Sequence, residues 1–167
     1  MQTEIYGLLL VPDEWEQFTH LRDEEGKLVS PDLHDAEIRI LEIDREKQRL
    51  GLCISSLEDT FYFFRFERVS FFYSSEFAYQ NVILDGYIFE ASDLTRSNPC
   101  LDHIMTLLEG NVDVRDDLVN AHKQIFYLEP SWGASLALVF GEVNAYRLKC
   151  KVPIDNKLYK HWACQAP

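Results

Sequence analysis

The sequence predicts an α+β domain that is mainly β: a curved antiparallel sheet, or a two-layer β arrangement, with one main helix packed on it. Three observations predict this. The stretch from Leu33 to Glu90 reads almost entirely as strand, rich in Val, Ile, Phe and Tyr, and strands of that kind need a second layer to cover them. Aromatic residues make up 13% of the chain, chiefly 11 Phe and 8 Tyr, which suits wide sheet faces better than a helical bundle. Only one segment, beginning at Asn98, carries a full set of helix signals. Strands with a single helix inserted late argue against a βαβ fold. At 167 residues and 47% apolar composition, one domain spanning 1–167 can bury its own core.

The elements follow in chain order. Ile5 to Val11 is a short apolar run ended by Pro12, a first strand. Asp13 to Phe18 can form one or two helical turns, with Pro12 near the first position and acids at the positive end of the helix dipole. Asp23-Glu24-Glu25-Gly26-Lys27 reads as a solvated turn, and Ser30-Pro31-Asp32 breaks the chain again. Ala36, Ile38 and Ile40 alternate with Glu37 and Arg39 as a half-buried strand, and the phase shift at Leu41 predicts a β-bulge. A polar hairpin over Asp44–Gln48 leads to Leu50, Leu52 and Ile54, with Gly51 and Cys53 on the opposite face.

Phe61 to Phe66 is too apolar for a strand with one wet face, so it is central or covered on both sides. Arg68 to Tyr73 follows with almost no turn, as though one long strand were bent. Val82 to Phe89 is the next strand, with Gly86 as its bulge or kink. Asn98 caps the helix, Pro99 occupies its first position and Gly110 stops it, while Leu101, Ile104, Met105 and Leu108 form one apolar face. A weaker helix or loop covers Asp113–Lys123. Strands then return at Ile125–Leu128, Ser135–Phe140 and Tyr146–Val152, with Pro130–Gly133 turning between the first two and Trp162 packing the tail back.

The net charge of −12 is unevenly spread: residues 1–60 hold 15 acids against 6 bases, and residues 61–167 hold 13 against 10. Such a surface repels nucleic acid and anionic membrane, serves solubility, and can steer a basic protein partner. The acids expected to make that contact are Asp13, Glu14, Glu16, Asp23, Glu24 and Glu25. The N-terminus has neither a basic region nor a long apolar run, and no stretch reaches the roughly 18 apolar residues of a membrane span. The expected location is therefore the cytoplasm, with reduced thiols. Cys53, Cys100, Cys150 and Cys164 form no CxxC pair, which argues against a zinc ribbon or thioredoxin-type motif; Cys53 reads as a small buried hydrophobe.

Catalytic patterns are sparse. His34-Asp35 resembles half of a metal-dependent phosphohydrolase site, but His20, His103, His122 and His161 fall in unrelated contexts. The plainer reading is a turn motif, in which Asp35 accepts backbone N–H groups and His34 bonds nearby, with Gln80 and Asn81 closing a second turn. Cys100-x2-His103 sits in a helical first turn, where a thiol pKa can fall, yet nothing completes a nucleophilic site. Walker, GxGxxG and nucleophile-elbow sequences are missing. The aromatic run Phe61–Tyr73 lacks the basic surroundings of a base-stacking platform. No metal or cofactor is expected.

The order Leu33-His34-Asp35-Ala36-Glu37-Ile38, then Phe64-Arg65-Phe66-Glu67-Arg68-Val69, then Gln80-Asn81-Val82-Ile83-Leu84-Asp85 resembles small bacterial proteins. These include uncharacterised domains and predicted immunity proteins of polymorphic toxin systems, notably the immunity protein 50 type. Tyr127-Leu128-Glu129-Pro130-Ser131-Trp132-Gly133 is similar to the end pattern of that group. The likeness covers about half the chain, chiefly 33–90 and 125–133. It implies stoichiometric neutralisation of a cognate toxin by direct binding, and it transfers no catalytic residue. Two other readings stand beside it: a small enzyme with a site near His34, Asp35 and Cys100, and a structural subunit that oligomerises through a sheet edge.

Overall fold

The computed structural model describes residues 3–5, 8–10, 15–57, 60–75, 77, 80–108 and 114–148. Thirteen strands appear among them: β1 (Thr3–Ile5), β2 (Leu8–Leu10), β3 (Trp15–Phe18), β4 (Leu21–Arg22), β5 (Leu28–Ser30), β6 (Glu37–Asp44) and β7 (Arg49–Ser55), followed by β8 (Phe61–Glu67), β9 (Phe71–Ser74), β10 (Val82–Phe89), β11 (Gln124–Trp132), β12 (Leu136–Phe140) and β13 (Glu142–Leu148). A 3-10 turn (Ala91–Thr95) and two helices, α1 (Pro99–Leu108) and α2 (Val114–Val119), separate β10 from β11. The fold is thus mainly β with one main helix, as the sequence predicts.

Nine strands form one antiparallel sheet in the order β3-β13-β8-β7-β6-β10-β11-β12-β9. The sheet returns on itself. β8 and β9 are halves of one strand bent at Arg68–Ser70, and β12 and β13 are halves of another bent at Gly141. Together they make one long ladder, carried across the bend by Gly141 N–H to Glu67 O (3.0 Å) and Ser70 N–H to Val139 O (2.9 Å). Six strands therefore close a barrel: β8/β9, β7, β6, β10, β11 and β12/β13. The closing seam is narrow. β6 and β10 share the single pair Glu37–Val82, supplemented by Asp35 N–H to Ile83 O, Ile83 N–H to Ala36 O and Ile38 N–H to Asn81 O.

Alternation along each strand sends one set of side chains inward. Leu50, Leu52 and Ile54 of β7, Phe64 and Phe66 of β8, Phe126 and Leu128 of β11, and Leu136, Leu138 and Phe140 of β12 fill the barrel. Phe66 lies at its centre, 4.9 Å between ring centroids from both Phe126 and Phe140. The outward faces of β9 to β12 carry a second core, where Leu101, Ile104 and Leu108 of α1 and Leu118 of α2 cover Phe89, Ile125, Tyr127 and Val139. Asn98 Oδ1 caps α1 by accepting from the N–H groups of Cys100 (3.0 Å) and Leu101 (3.1 Å). No helix among the described residues is long and apolar enough to cross a membrane.

Several expectations are corrected. The run Ile5–Val11 is not one strand: β1 and β2 pair as a short hairpin. The helical turns expected over Asp13–Phe18 give way to β3 at Trp15–Phe18, which pairs with β13. The cause is tertiary: Phe18 meets Tyr62 and Phe64 edge to face at the barrel interior, and pairing outweighs the local acidic helix signal. The solvated turn around Asp23 is present as expected, and it joins β4 and β5 into a hairpin. The β6 bulge falls between Ile38 and Ile40, just before the phase shift. In β10 the irregularity lies between Val82 and Asp85 instead of at Gly86, which is regular and packs beside Leu33, Leu28 and Leu128. β11 extends through Trp132, so its turn starts at Gly133. Gly110 and Trp162 lie outside the described residues.

Candidate functional site

The β4–β5 hairpin is built to hold its tip rigid. Asp23 Oδ1 accepts from the N–H groups of Glu25 and Lys27, both at 2.9 Å, and Asp23 N–H reaches Lys27 O at 2.9 Å. Gly26 sits at φ +87°, and a Cβ there would lie 2.6 Å from the Phe89 ring, so the tip lies flat on β10. Ile88 N–H donates to Gly26 O, and Lys27 bridges to Tyr87. From the other side Arg96 donates to Glu24 O (3.0 Å) and Asn98 Nδ2 to Glu25 O (2.9 Å), tying the tip to the start of α1.

Beneath the tip, Arg22 donates to Asp93 Oδ2 at 2.7 Å and to Ile88 O at 3.2 Å, and pairs with Glu90. Asp93 is almost fully buried and also accepts from Glu90 N–H at 2.8 Å, closing a capping box at the 3-10 turn. His20, half-buried near this guanidinium, has its pKa lowered, first by burial and then by Arg22. The bonds that Glu24 and Glu25 contribute to these tethers use their backbone. Their side chains stay exposed and form no ion pair among the described residues.

The other acids of the expected contact cluster are placed differently. Glu16 lies on β3 and pairs with Arg147 at 2.9 Å, while Asp13 and Glu14 lie outside the described residues. At least nine of the twelve described Lys and Arg side chains stand within ion-pair distance of a carboxylate.

The enzyme reading draws on His34, Asp35 and Cys100. His34 Nδ1 lies 2.7 Å from Leu84 O at the barrel seam, and its Nε2 is 3.7 Å from Asp35. The carboxylate accepting a backbone N–H in this turn is that of Asp32, from His34 at 3.0 Å, instead of Asp35, which sits at φ +57°. Asn81 is buried and latches two turns together: its O accepts from Ile38 N–H, and its Oδ1 accepts from Ala134 N–H at 3.2 Å. Gly133, at φ +91°, leaves room for that latch, since a Cβ there would lie 2.7 Å from Gln80 O and from Asn81 Oδ1.

Cys100 stands in the first turn of α1, near Tyr87, Tyr127, Glu129 and Asp85. Tyr87 donates to Glu129 at 3.3 Å, Lys27 pairs with Asp85 at 2.6 Å, and His103 meets the Tyr127 ring edge-on at 6.5 Å. Burial pushes the Cys100 thiol up to about 12, helped by the Glu129 and Asp85 charges. The same environment raises Tyr127 to about 12 and Tyr87 further. A thiol held protonated at neutral pH is a poor nucleophile and a poor metal ligand. Among the described residues no three His, Cys, Asp or Glu side chains come together to hold a metal ion. The sequence reading missed this cluster, although Asp85/Tyr87 and Tyr127/Glu129 each have the i, i+2 spacing that puts two side chains on one strand face.

Glu42 of β6 is a second perturbed carboxyl: partial burial raises it from the ordinary 4.5 to about 7. The folded state thus holds this proton more tightly than the unfolded chain. Stability from this group is fully present below about pH 4.5 and is lost as pH rises to about 7. Glu42→Gln is expected to be more stable than wild type by about 1 kcal/mol at pH 8, after allowance for solvent screening, and indistinguishable at pH 4. Urea unfolding at the two pH values checks this; an equal difference at both would exclude the carboxyl as the cause.

Comparison of the chain with protein-family models, with curated proteins and with solved structures finds no match to any of the three.

Proposed function

We propose that this chain is a non-catalytic binding protein of the cytoplasm that docks a basic protein partner on its acidic hairpin, and that it acts as an immunity-type inhibitor of a toxin. The observation that carries the reading is the β4–β5 tip: Glu24 and Glu25 project from a backbone fixed at both ends, with no cation of their own among the described residues. A preorganised anionic surface loses little conformational freedom on binding and accelerates encounter with a cationic partner. The resemblance of 33–90 and 125–133 to predicted immunity proteins supports the inhibitor role, and an acidic inhibitor fits the basic nucleic-acid site of a nuclease toxin. The protonated thiol at Cys100 weighs against the enzyme reading.

The test is capture from the native host, followed by kinetics with the purified captured protein. Glu24→Lys with Glu25→Lys is expected to slow association about tenfold at low salt and to flatten its salt dependence, while the unfolding midpoint stays put. A captured protein whose association rate is unchanged at low salt would falsify the hairpin as the docking element. Failure of the chain to relieve that protein's toxicity would remove the inhibitor role alone.

A further inference from the structure

A row of phenols crosses the outward face of β10, β11, β12 and β9, beside the start of α1. Register sets Tyr87 against Tyr127, Tyr127 against Ala137 and Ala137 against Tyr73, so only a small side chain separates the last two rings. The next row brings Asp85 opposite Glu129. Two groups of this cluster lack the partner their chemistry demands. Tyr127 is only 4% exposed, yet its hydroxyl has no hydrogen-bond partner among the described residues. Buried hydroxyls are normally paired, because an unmade bond leaves the desolvation cost of the group uncompensated. Glu129 lies near that hydroxyl, two residues on along the same strand face. Its carboxylate accepts from Tyr87 at 3.3 Å and meets no cation among the described residues. The neighbouring carboxylate is already neutralised, since Asp85 holds Lys27 at 2.6 Å.

We infer that this cluster is the socket for an arginine side chain of the basic protein partner, an inference that rests on the docking role proposed above. A guanidinium is a flat cation with five N–H donors and no acceptor. It brings Glu129 the missing positive charge and donates to the unpartnered oxygen of Tyr127. Its planar fork matches a carboxylate, which the compact ammonium of lysine does not. The phenol rings add electron-rich surface close by. The socket is continuous with the acidic tip. Lys27 bridges to Tyr87 and pairs with Asp85, while Asn98, which holds Glu25 O, caps the helical turn that carries Cys100. Glu24 and Glu25 gather the partner and the recessed socket retains it. Rim charges act mainly on association, whereas a buried, hydrogen-bonded cation acts on dissociation.

Titration of the isotope-labelled protein with Nα-acetyl-arginine methylamide, followed by amide chemical shifts at physiological salt, tests the socket without the partner. Shifts at Tyr87, Tyr127 and Glu129 are expected to saturate with a Kd of about 1–10 mM. The citrulline derivative, matched in shape but uncharged, is expected to bind at least about tenfold more weakly. Tyr127→Phe deletes only the hydroxyl and is expected to weaken arginine binding about tenfold while the unfolding midpoint does not fall. Glu129→Gln should abolish the saturable shifts. With the captured partner, Tyr127→Phe is expected to raise the dissociation rate about tenfold and to leave association alone. The hairpin is decided by association, the socket by dissociation and by the arginine probe, so each can fail without the other. Three results overturn the inference: equal or absent shifts for the arginine and citrulline derivatives, arginine binding unmoved by Tyr127→Phe and Glu129→Gln, or partner dissociation unmoved by Tyr127→Phe.

Discussion

Replacing Arg22 with Met is expected to lower unfolding free energy by about 3 kcal/mol, the usual cost of leaving one member of a buried pair unpartnered. Arg22 sits between Asp93, whose side chain is 9% exposed, and Glu90, which it also engages. With the guanidinium gone, Asp93 keeps only the Glu90 N–H as its described partner, and its charge stays in a poorly solvated place. The loss also reaches the hairpin, because Arg22 anchors β4 to the end of β10 through Ile88 O. Amides of the Asp23–Lys27 tip should exchange faster in Arg22→Met even under conditions where the barrel stays folded. Adding Asp93→Leu should restore part of the lost stability by removing the orphaned charge. Urea unfolding of the single and double variants at pH 7 measures both effects. A loss below about 1 kcal/mol would mean that the pair is solvated and the hairpin is held by its backbone bonds alone.

Phe66→Ala should cost more, about 3–5 kcal/mol. Phe66 is fully buried, and its ring meets Phe64, Phe126 and Phe140. Those rings come from β8, β11 and β12, on different sides of the closed sheet. The cavity left by alanine would be bounded by rings and backbone from β8, β11 and β12, which limits collapse and keeps the penalty high. Phe66→Leu, which conserves most of the volume, should cost about 1 kcal/mol. Near-equal effects for the two substitutions would show that the interior yields freely, as an open sheet with one mobile face would. Thermal and urea unfolding distinguish these outcomes.

The barrel strands were legible because their periodicity is strong. Leu50, Leu52 and Ile54 alternate without interruption, and the continuous Phe61–Phe66 run marks a strand buried on both faces, with Phe63 closed in on the outside as Phe64 and Phe66 are within. The bend joining β8 to β9 was visible as a second apolar run with almost no turn before it. Asn98 and Pro99 named the start of α1 because capping is a local interaction, written in consecutive residues.

What escaped sequence reading was decided at a distance. The acids of Asp13–Phe18 favour a helix, yet Trp15–Phe18 becomes a strand, because β13 offers a ladder and the barrel offers Phe18 a place. Leu21–Arg22 and Leu28–Ser30 are too short to show a period, and their pairing depends on the Asp23 turn. Barrel closure rests on three backbone bonds around Asp35, Ala36 and Asn81, which no side-chain pattern reports. At the candidate site, the exposed Glu24 and Glu25 were foreseeable from composition, but the loss of Glu16 to Arg147 was not. Cys100 looked activated by its helical position; only the fold reveals the carboxylates of β10 and β11 that oppose ionisation.

The anchoring of Glu24 and Glu25 through their carbonyls has an evolutionary consequence. The identity of those two side chains is uncoupled from the conformation that displays them. Mutation can rewrite the charge and shape shown at this surface, while Asp23, Gly26, Arg96 and Asn98 keep its backbone in place.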